Sequence, residues 1–185
     1  MRLIHWSYFL ALEEDFLRLG RFVEFNSKNF ATFSLEMAHL LLAASSETDV
    51  VLKMLCKLFA PDAQNEANYR ATIPQNISDF TKLKVDMPRY ELSFQPWQPW
   101  DSNQTPDWWT AYNKVKHERD SYYEKANLGN VLQSMAALFV SNLYLYKDLA
   151  NKGELSPWPQ LFYPEDQYST GVTPGEGGWA LVCKL

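Results

Sequence analysis

Apolar residues recur at steps of three and four along four long stretches of the chain, which is the spacing of one buried helix face. The first stretch covers residues 5–23. The second begins after Thr32 or Ser34 and ends near Phe59, shortly before Pro61. Threonine and serine are favoured N-cap residues, and a proline soon after the last apolar position is typical of a helix end. The pattern therefore predicts two long amphipathic helices in the first third of the chain.

Two further helices are predicted in the second half. Thr105, Pro106 and Asp107 supply an N-cap residue, a proline at the first helical position and an acid in the first turn. After a break near Asn127, a strongly amphipathic fourth helix continues until just before Gly153, and glycine is common directly after a helix. Four long helices favour a bundle.

The remaining segments lack a sustained period. Residues 61–105 are rich in proline, and only 77–85 is predicted to form a short helix. The run 94–100 has the composition of a proline-rich recognition ligand, but rings this dense more often pack on their own domain. The tail from residue 156 is predicted to be an irregular flap. The predicted fold is all-α: one domain over residues 1–185, a four-helix-type bundle with an irregular Pro/aromatic-rich insertion and a C-terminal tail that has room for a short β-hairpin.

Composition narrows the function classes. A net charge of -5 provides no overall basic field, so contact with nucleic acid requires a local patch. Cys56 and Cys183 belong to no zinc-type pair, which favours a reducing, cytoplasmic compartment. The apolar run 135–145 is shorter than the roughly 20 residues of a membrane span, so no membrane association is expected. The sequence contains no glycine-rich phosphate loop and no histidine pair at metal-ligand spacing, and neither a cofactor nor a metal is predicted.

The third helix concentrates the polar side chains that can carry chemistry. Asn113, Lys116 and His117 share its polar side with Trp109, next to the apolar stripe that includes Tyr112. Asn113 and His117 are four residues apart and can touch. A histidine among polar and charged groups is a candidate for proton transfer near neutral pH.

Three more polar residues are expected on inward faces. Helical extrapolation places Arg119 near the apolar stripe of the third helix, Glu47 within the apolar face of the second helix and Asn142 within that of the fourth. Such groups are costly to bury alone, which suggests one hydrogen-bonded cluster with Asn113, Lys116 and His117 at its rim. The cluster has two interpretations: an ion-pair network that fixes helix register, or a reactive site.

Residues 109–119, Trp-Thr-Ala-Tyr-Asn-Lys-Val-Lys-His-Glu-Arg, followed by the helix at 130–146, resemble the C-terminal helices of the HEPN-like superfamily and related uncharacterised bacterial proteins. Residues 46–53 are similar to the second helix of those proteins. The resemblance implies a homodimeric four-helix bundle in a toxin–antitoxin, phage-defence or RNA-processing context, with RNA cleavage that needs no metal.

The resemblance also implies residue roles. His117 would transfer the proton, and Lys116 or Arg119 would stabilise the charge on the phosphorane. Asn113 would orient the histidine, and the rings of Trp109 and Tyr112 would stack an unpaired base.

Three functions follow as hypotheses. The first is a metal-independent RNase or RNA-binding component. The second is a non-catalytic dimeric interaction protein, antitoxin-like or structural, with a buried polar network and a protein partner. The third is a small-ligand-binding bundle with the tryptophan-rich segment as its lid. Exposure of His117 distinguishes the first two, because an open groove favours RNA and a sealed histidine favours architecture.

Overall fold

The computed structural model describes residues 2–175 and 178–185. These residues form helices and two small sheets joined by turns and loops. The helices are α1 (Ile4–Leu19), α2 (Leu35–Cys56), α3 (Glu66–Asn76), α4 (Asp107–His117), α5 (Arg119–Tyr122), α6 (Leu128–Leu145) and α7 (Lys147–Lys152). The strands are β1 (Val85–Met87), β2 (Leu92–Phe94), β3 (Tyr163–Pro164), β4 (Ser169–Gly175) and β5 (Gly178–Cys183).

The predicted all-α four-helix-type bundle is wrong, because helices take up 58% of the residues and strands another 13%, which makes the fold mixed α/β. One antiparallel sheet has the strand order β2-β1-β3 and pairs Val85 with both Phe94 and Pro164. Its strands are two or three residues long, too short for an alternating pattern to appear in the sequence. The second sheet pairs β4 with β5, so the tail does contain the hairpin that the sequence allowed.

Helix α6 lies at the centre of the molecule and packs against α1, α2, α4 and α7. Its side chains are buried almost all the way round, from Leu128 to Tyr144. By length and hydropathy this helix could also cross a membrane, but most of it is enclosed by the rest of the protein, as the core helix of a soluble protein would be.

The helix starts follow the predicted capping only in part. Ser34 caps α2, its hydroxyl accepting a hydrogen bond from the Met37 N–H at 3.1 Å, and Asn127 caps α6 in the same way. Thr105 does not cap α4, because its hydroxyl is hydrogen-bonded to Glu66 and Arg70. That tertiary contact was not apparent from the local sequence.

The Pro/aromatic-rich insertion is part of the core. Trp97 is fully buried and packs against Phe80, Trp100, Trp108 and Trp109, with ring centroids 4.3–6.5 Å apart. The expectation that this segment packs on its own domain is confirmed. The short helix predicted at 77–85 does not form. Helix α3 ends at Asn76, just before this segment, and Asp79 within it has a left-handed backbone with φ of 60°.

A buried carboxylate ties the tail to the first helix. Glu13, on the inner face of α1, accepts hydrogen bonds from the backbone N–H groups of Gln160 at 2.9 Å and Leu161 at 2.8 Å. Leu161 and Phe162 are buried beside it. The tail is therefore anchored in the core at this point, and the prediction of an irregular flap is wrong here.

Candidate functional site

The predicted cluster of Glu47, Asn142 and Arg119 does not form. Glu47 Oε1 lies 2.5 Å from His5 Nδ1, and Asn142 Nδ2 donates to the Leu138 carbonyl of its own helix at 3.0 Å. Arg119 Nε donates to the Val115 carbonyl at 3.4 Å. Among the described residues, no hydrogen bond or ion pair joins any two of the three, so no polar network links helices α2, α4 and α6 at this place.

Each of the three residues fails to join the predicted cluster for a physical reason. Helix α4 ends at His117, and the backbone at Glu118 turns away with φ of -139°, so a helical extrapolation to Arg119 fails. Glu47 lies at the edge of the helix face that meets α1, where His5 is its partner. Asn142 is fully buried as expected, but its NH₂ donates to the carbonyl four residues earlier on its own helix, and its Oδ1 has no hydrogen-bond partner among the described residues.

The His5–Glu47 pair was not expected, because His5 is isolated in the sequence. It connects α1 to α2 while both side chains keep about one sixth of their surface exposed, 17% and 15%. Tyr146 lies beside the pair. The pKa of its hydroxyl is raised, mainly by burial and also by the negative charge of Glu47, while backbone hydrogen bonds with His5 and Trp6 lower it in part. The arrangement fixes the start of α1 against two neighbouring elements.

The predicted residues on α4 fall into two classes. Asn113, Lys116 and His117 are exposed, whereas Trp109 and Tyr112 are buried. The two rings contact each other edge to face with centroids 6.1 Å apart, and Lys116 Nζ lies 3.3 Å from the Tyr112 hydroxyl. Because Trp109 also packs edge to face on Trp108, its ring has little free surface on which a base could stack.

Four of these residues line one open depression, which we call the α4 groove. It has a volume of about 490 Å³ and lies between α2, the start of α3 and α4. Its lining comprises Asp49, Gln64, Asn65, Glu66, Ala67, Thr105, Trp109, Tyr112, Asn113 and Lys116. The groove thus joins amide, carboxylate and ammonium groups over an aromatic wall, a composition suited to a small polar ligand.

One carboxylate of the α4 groove is already satisfied. Glu66 accepts hydrogen bonds from Arg70 on both oxygens at 3.1 Å, from Trp100 Nε1 at 2.8 Å and from the Thr105 hydroxyl at 3.1 Å. These bonds hold the first turn of α3 against the tryptophan-rich segment. Asp49 is therefore the carboxylate in the groove that is more available to a ligand.

Asp49 has two buried hydroxyl neighbours that the sequence analysis missed. Burial raises the pKa of the Tyr69 hydroxyl, and the interaction of this hydroxyl with the negatively charged Asp49 carboxylate raises it further. The buried hydroxyl of Ser45, one turn before Asp49, has no hydrogen-bond partner among the described residues, although buried polar groups are nearly always paired. No local signal in the sequence brings Tyr69 to α2.

Basic side chains gather at the C-terminal end of α4. Lys116, His117 and Arg119 are exposed there, and Lys114 pairs with Glu118 at 2.8 Å and lies 4.5 Å from the centroid of the Tyr122 ring. Cations in a last turn stabilise a helix through its dipole, so part of this pattern is structural. Lys116 and Arg119 are the exposed cations at this end of α4 that no described carboxylate pairs with, and the exposed carboxylates of Glu118 and Asp120 lie beside them.

Other reactive groups are less promising. Burial raises the pKa of Cys56 to about 11 and that of Cys183 to about 12, so both are thiols rather than thiolates at neutral pH. Within residues 2–175 and 178–185, no group of three His, Cys, Asp or Glu side chains is placed to hold a metal ion.

Comparison of the chain with family models, with curated proteins and with solved structures gave no match. The resemblance to the HEPN-like superfamily therefore receives no support from these comparisons.

Proposed function

We propose that the protein binds single-stranded RNA, with one unpaired nucleotide in the α4 groove and the adjoining phosphates at the C-terminal end of α4. The observation that carries this proposal is the meeting of hydrogen-bonding groups in the α4 groove with the exposed basic side chains of Lys116, His117 and Arg119 at or just after the end of the same helix. A volume of about 490 Å³ is in the usual range for a small ligand.

The groove contains the groups that read an unpaired base. Single-stranded RNA is recognised through the edges of splayed bases, which donate and accept hydrogen bonds. Asn113 and Gln64 can do both, and Asp49 accepts from an exocyclic amino group. The buried Trp109 and Tyr112 contribute ring edges as an apolar wall rather than the stacking faces expected from the sequence.

The charge distribution sets the strength of the interaction. The net charge of -5 opposes a polyanion, so binding depends on the two or three cations at the end of α4. On single strands each neutralised phosphate contributes about -0.7 to the slope of log affinity against log salt. A shallow slope of about -1.5 to -2 is therefore expected.

Binding is better supported than cleavage. The ring of His117 has no hydrogen-bond partner among the described residues, so Asn113 does not orient it as expected, and Glu47 and Asn142 of the expected supporting network bond elsewhere. A general base needs an oriented ring close to the proton that it removes. A role in toxin, antitoxin or phage-defence systems remains a prediction of the resemblance alone.

Titration of a short, unstructured, fluorescently labelled RNA with the full chain in EDTA tests the proposal. Lys116→Ala and Asn113→Ala are each expected to weaken binding by about threefold to tenfold, since each removes one polar contact worth roughly 1 kcal/mol. Lys152→Ala is the matched control, because it removes the same charge from an exposed position on α7. This variant should retain its affinity for the RNA apart from a small general charge effect.

Equal losses in Lys116→Ala and Lys152→Ala would show that the α4 groove is not the site. Gel analysis of the same mixtures shows whether the RNA is cut. Metal-independent cutting that disappears in His117→Ala would restore the nuclease hypothesis.

We propose, as a second candidate, a non-catalytic dimer that pairs through α2. Val50, Met54 and Leu58 follow one another at steps of four on or just after this helix and are 42%, 38% and 77% exposed. Side chains at this spacing form one continuous stripe, and two identical stripes related by a two-fold axis bury each other. This observation gives the predicted homodimer a specific surface.

Analytical ultracentrifugation of the full chain is expected to show a concentration-dependent dimer that Met54→Glu shifts to monomer, because a charge at the centre of an apolar contact is costly. Val172→Glu alters an exposed apolar residue of the hairpin and serves as the control. A purely monomeric unmodified chain, or equal effects of both substitutions, would exclude the α2 stripe as the interface.

A further inference from the structure

A second depression lies beneath the proline- and tryptophan-rich insertion, and we call it the Trp–Pro groove. It has a volume of about 550 Å³ and shares no lining residue with the α4 groove. Four chain segments form it: residues 30–31, 94–99, 106–108 and 127–133. Its floor is rigid, because the buried indole N–H of Trp108 donates to the Pro96 carbonyl at 3.2 Å and the neighbouring Trp97 packs edge to face on Trp108.

The Trp–Pro groove includes the start of α6, yet the backbone donors there are occupied. The Leu128 N–H donates to the Thr32 carbonyl at 2.9 Å, and the Gly129 N–H donates to the Phe30 carbonyl at 3.1 Å. The next N–H, that of Asn130, is capped by the side chain of Asn127. A helix start attracts anions only through free N–H groups, so this one offers little to an anion.

Three of the five side-chain amides in the groove use an NH₂ donor within the protein. The NH₂ groups of Gln95, Asn127 and Asn130 donate to the backbone carbonyls of residues 81, 124 and 125 at 2.9–3.0 Å. Gln133 Oε1 is buried and has no hydrogen-bond partner among the described residues. Its terminal torsion is broad, so rotation about it can turn this oxygen towards a ligand. The groove therefore has unused amide oxygens, beside the unused NH₂ groups of Gln98 and Gln133.

The charge of the lining residues also favours a cationic ligand. Asp107 is the only charged residue in the lining, which contains no lysine, arginine or histidine. Its carboxylate lies on the exposed side of the groove. Aromatic and proline side chains form the walls, including the half-buried Phe30. One carboxylate, the lack of a basic side chain in the lining and the ring surfaces together favour a flat cation and disfavour an anion.

We infer that the Trp–Pro groove binds a guanidinium group. A guanidinium carries five N–H donors around its edge and has two weakly hydrated faces, so its edge suits Asp107 and Gln133 while its faces suit the ring and proline walls. A primary ammonium is a compact, strongly hydrated point charge and matches this lining less well. The group can come from a small molecule such as agmatine or from an arginine side chain of another protein.

Isothermal titration calorimetry with the full chain tests the inference, with agmatine, putrescine, glucose and inorganic phosphate as probes. Putrescine has the same chain length and charge as agmatine but a second ammonium in place of the guanidinium, so agmatine is expected to bind about tenfold more tightly, and glucose and phosphate to show no binding at the same concentrations. Asp107→Asn should weaken agmatine binding about tenfold, as loss of a charged partner does. Gln133→Met, which keeps the shape and removes the acceptor, should weaken it less.

Matched controls separate this site from general effects. Asp62→Asn and Gln104→Met make the same chemical changes at exposed positions outside the groove and should leave binding unchanged. A glycyl-arginyl-glycine peptide identifies the source: equal affinity with agmatine indicates a small molecule, and tighter binding of the peptide indicates an arginine of a partner protein. Either result supports the inference.

Equal affinity for agmatine and putrescine would overturn it, as would agmatine binding that neither Asp107→Asn nor Gln133→Met weakens. These outcomes are independent of the RNA experiments, because the two grooves have no lining residue in common.

Discussion

Replacement of Trp97 by alanine should lower the free energy of unfolding by about 3–5 kcal/mol, the usual cost of removing a large buried aromatic side chain. Trp97 is fully buried, and its ring contacts Phe80, Trp100, Trp108 and Trp109. The cavity cannot close easily, because the surrounding rings also contact one another. Urea denaturation followed by circular dichroism measures the loss.

Two companion substitutions make the Trp97 result specific. Trp179→Ala removes the same side chain from a position that is 63% exposed and should change stability by no more than about 0.5 kcal/mol. Trp97→Phe retains a ring and loses an indole N–H that has no hydrogen-bond partner among the described residues, so it should cost much less than alanine. Similar losses in Trp97→Ala and Trp179→Ala would contradict the central position of Trp97.

Replacement of Glu13 by alanine should lower the free energy of unfolding by about 2–5 kcal/mol, because two buried backbone donors would lose their acceptor. The N–H groups of Gln160 and Leu161 donate to the two different oxygens of this carboxylate. Glu14→Ala, one position further along α1 and exposed, is the matched control and should have little effect. Thermal unfolding of the two variants beside the unmodified protein gives the comparison, and equal stability of both variants would remove the anchoring role.

The same carboxylate should make stability depend on pH. Burial raises the pKa of Glu13 above its ordinary 4.5, and hydrogen bonds from the backbone of residues 160–162 reduce that rise only in part. A group whose pKa is higher in the folded state binds more protons in the folded protein than in the unfolded chain. Its contribution to stability is therefore complete below the ordinary value and declines as pH rises through the folded pKa. Glu13→Gln should remove this decline, which urea titrations at a series of pH values from below 4.5 upwards would measure.

The sequence predicted the long helices because their signals are local. The apolar stripe of Trp108, Ala111, Tyr112 and Val115 is buried as expected, and the Asn127 cap marks the start of α6. The small sheets had no such signal. Their short strands are defined by partners far away in sequence, such as Val85 with Pro164, and no period can form within three residues.

In the candidate site, too, the features with a local signal were predictable and those that depend on distant residues were not. Trp109, Tyr112, Asn113 and Lys116 line one groove because they lie within two turns of one helix, and that placement is local. The partners of this surface are not local: the acid that faces it is Asp49 rather than the expected Glu47, and Tyr69 comes from a helix that the sequence analysis did not predict. A break at Glu118 was enough to move Arg119 from the expected core to the surface.

The anchoring of residues 160 and 161 on Glu13 also determines how the chain can be shortened. A protease cut or a stop codon before Pro159 would remove more than the terminal hairpin. It would leave an ionised carboxylate facing the space vacated by Phe162, beside Phe9 and Phe16, which pack on that ring in the intact protein. Truncation intended to trim the end of the molecule would thus expose the inner face of its first helix.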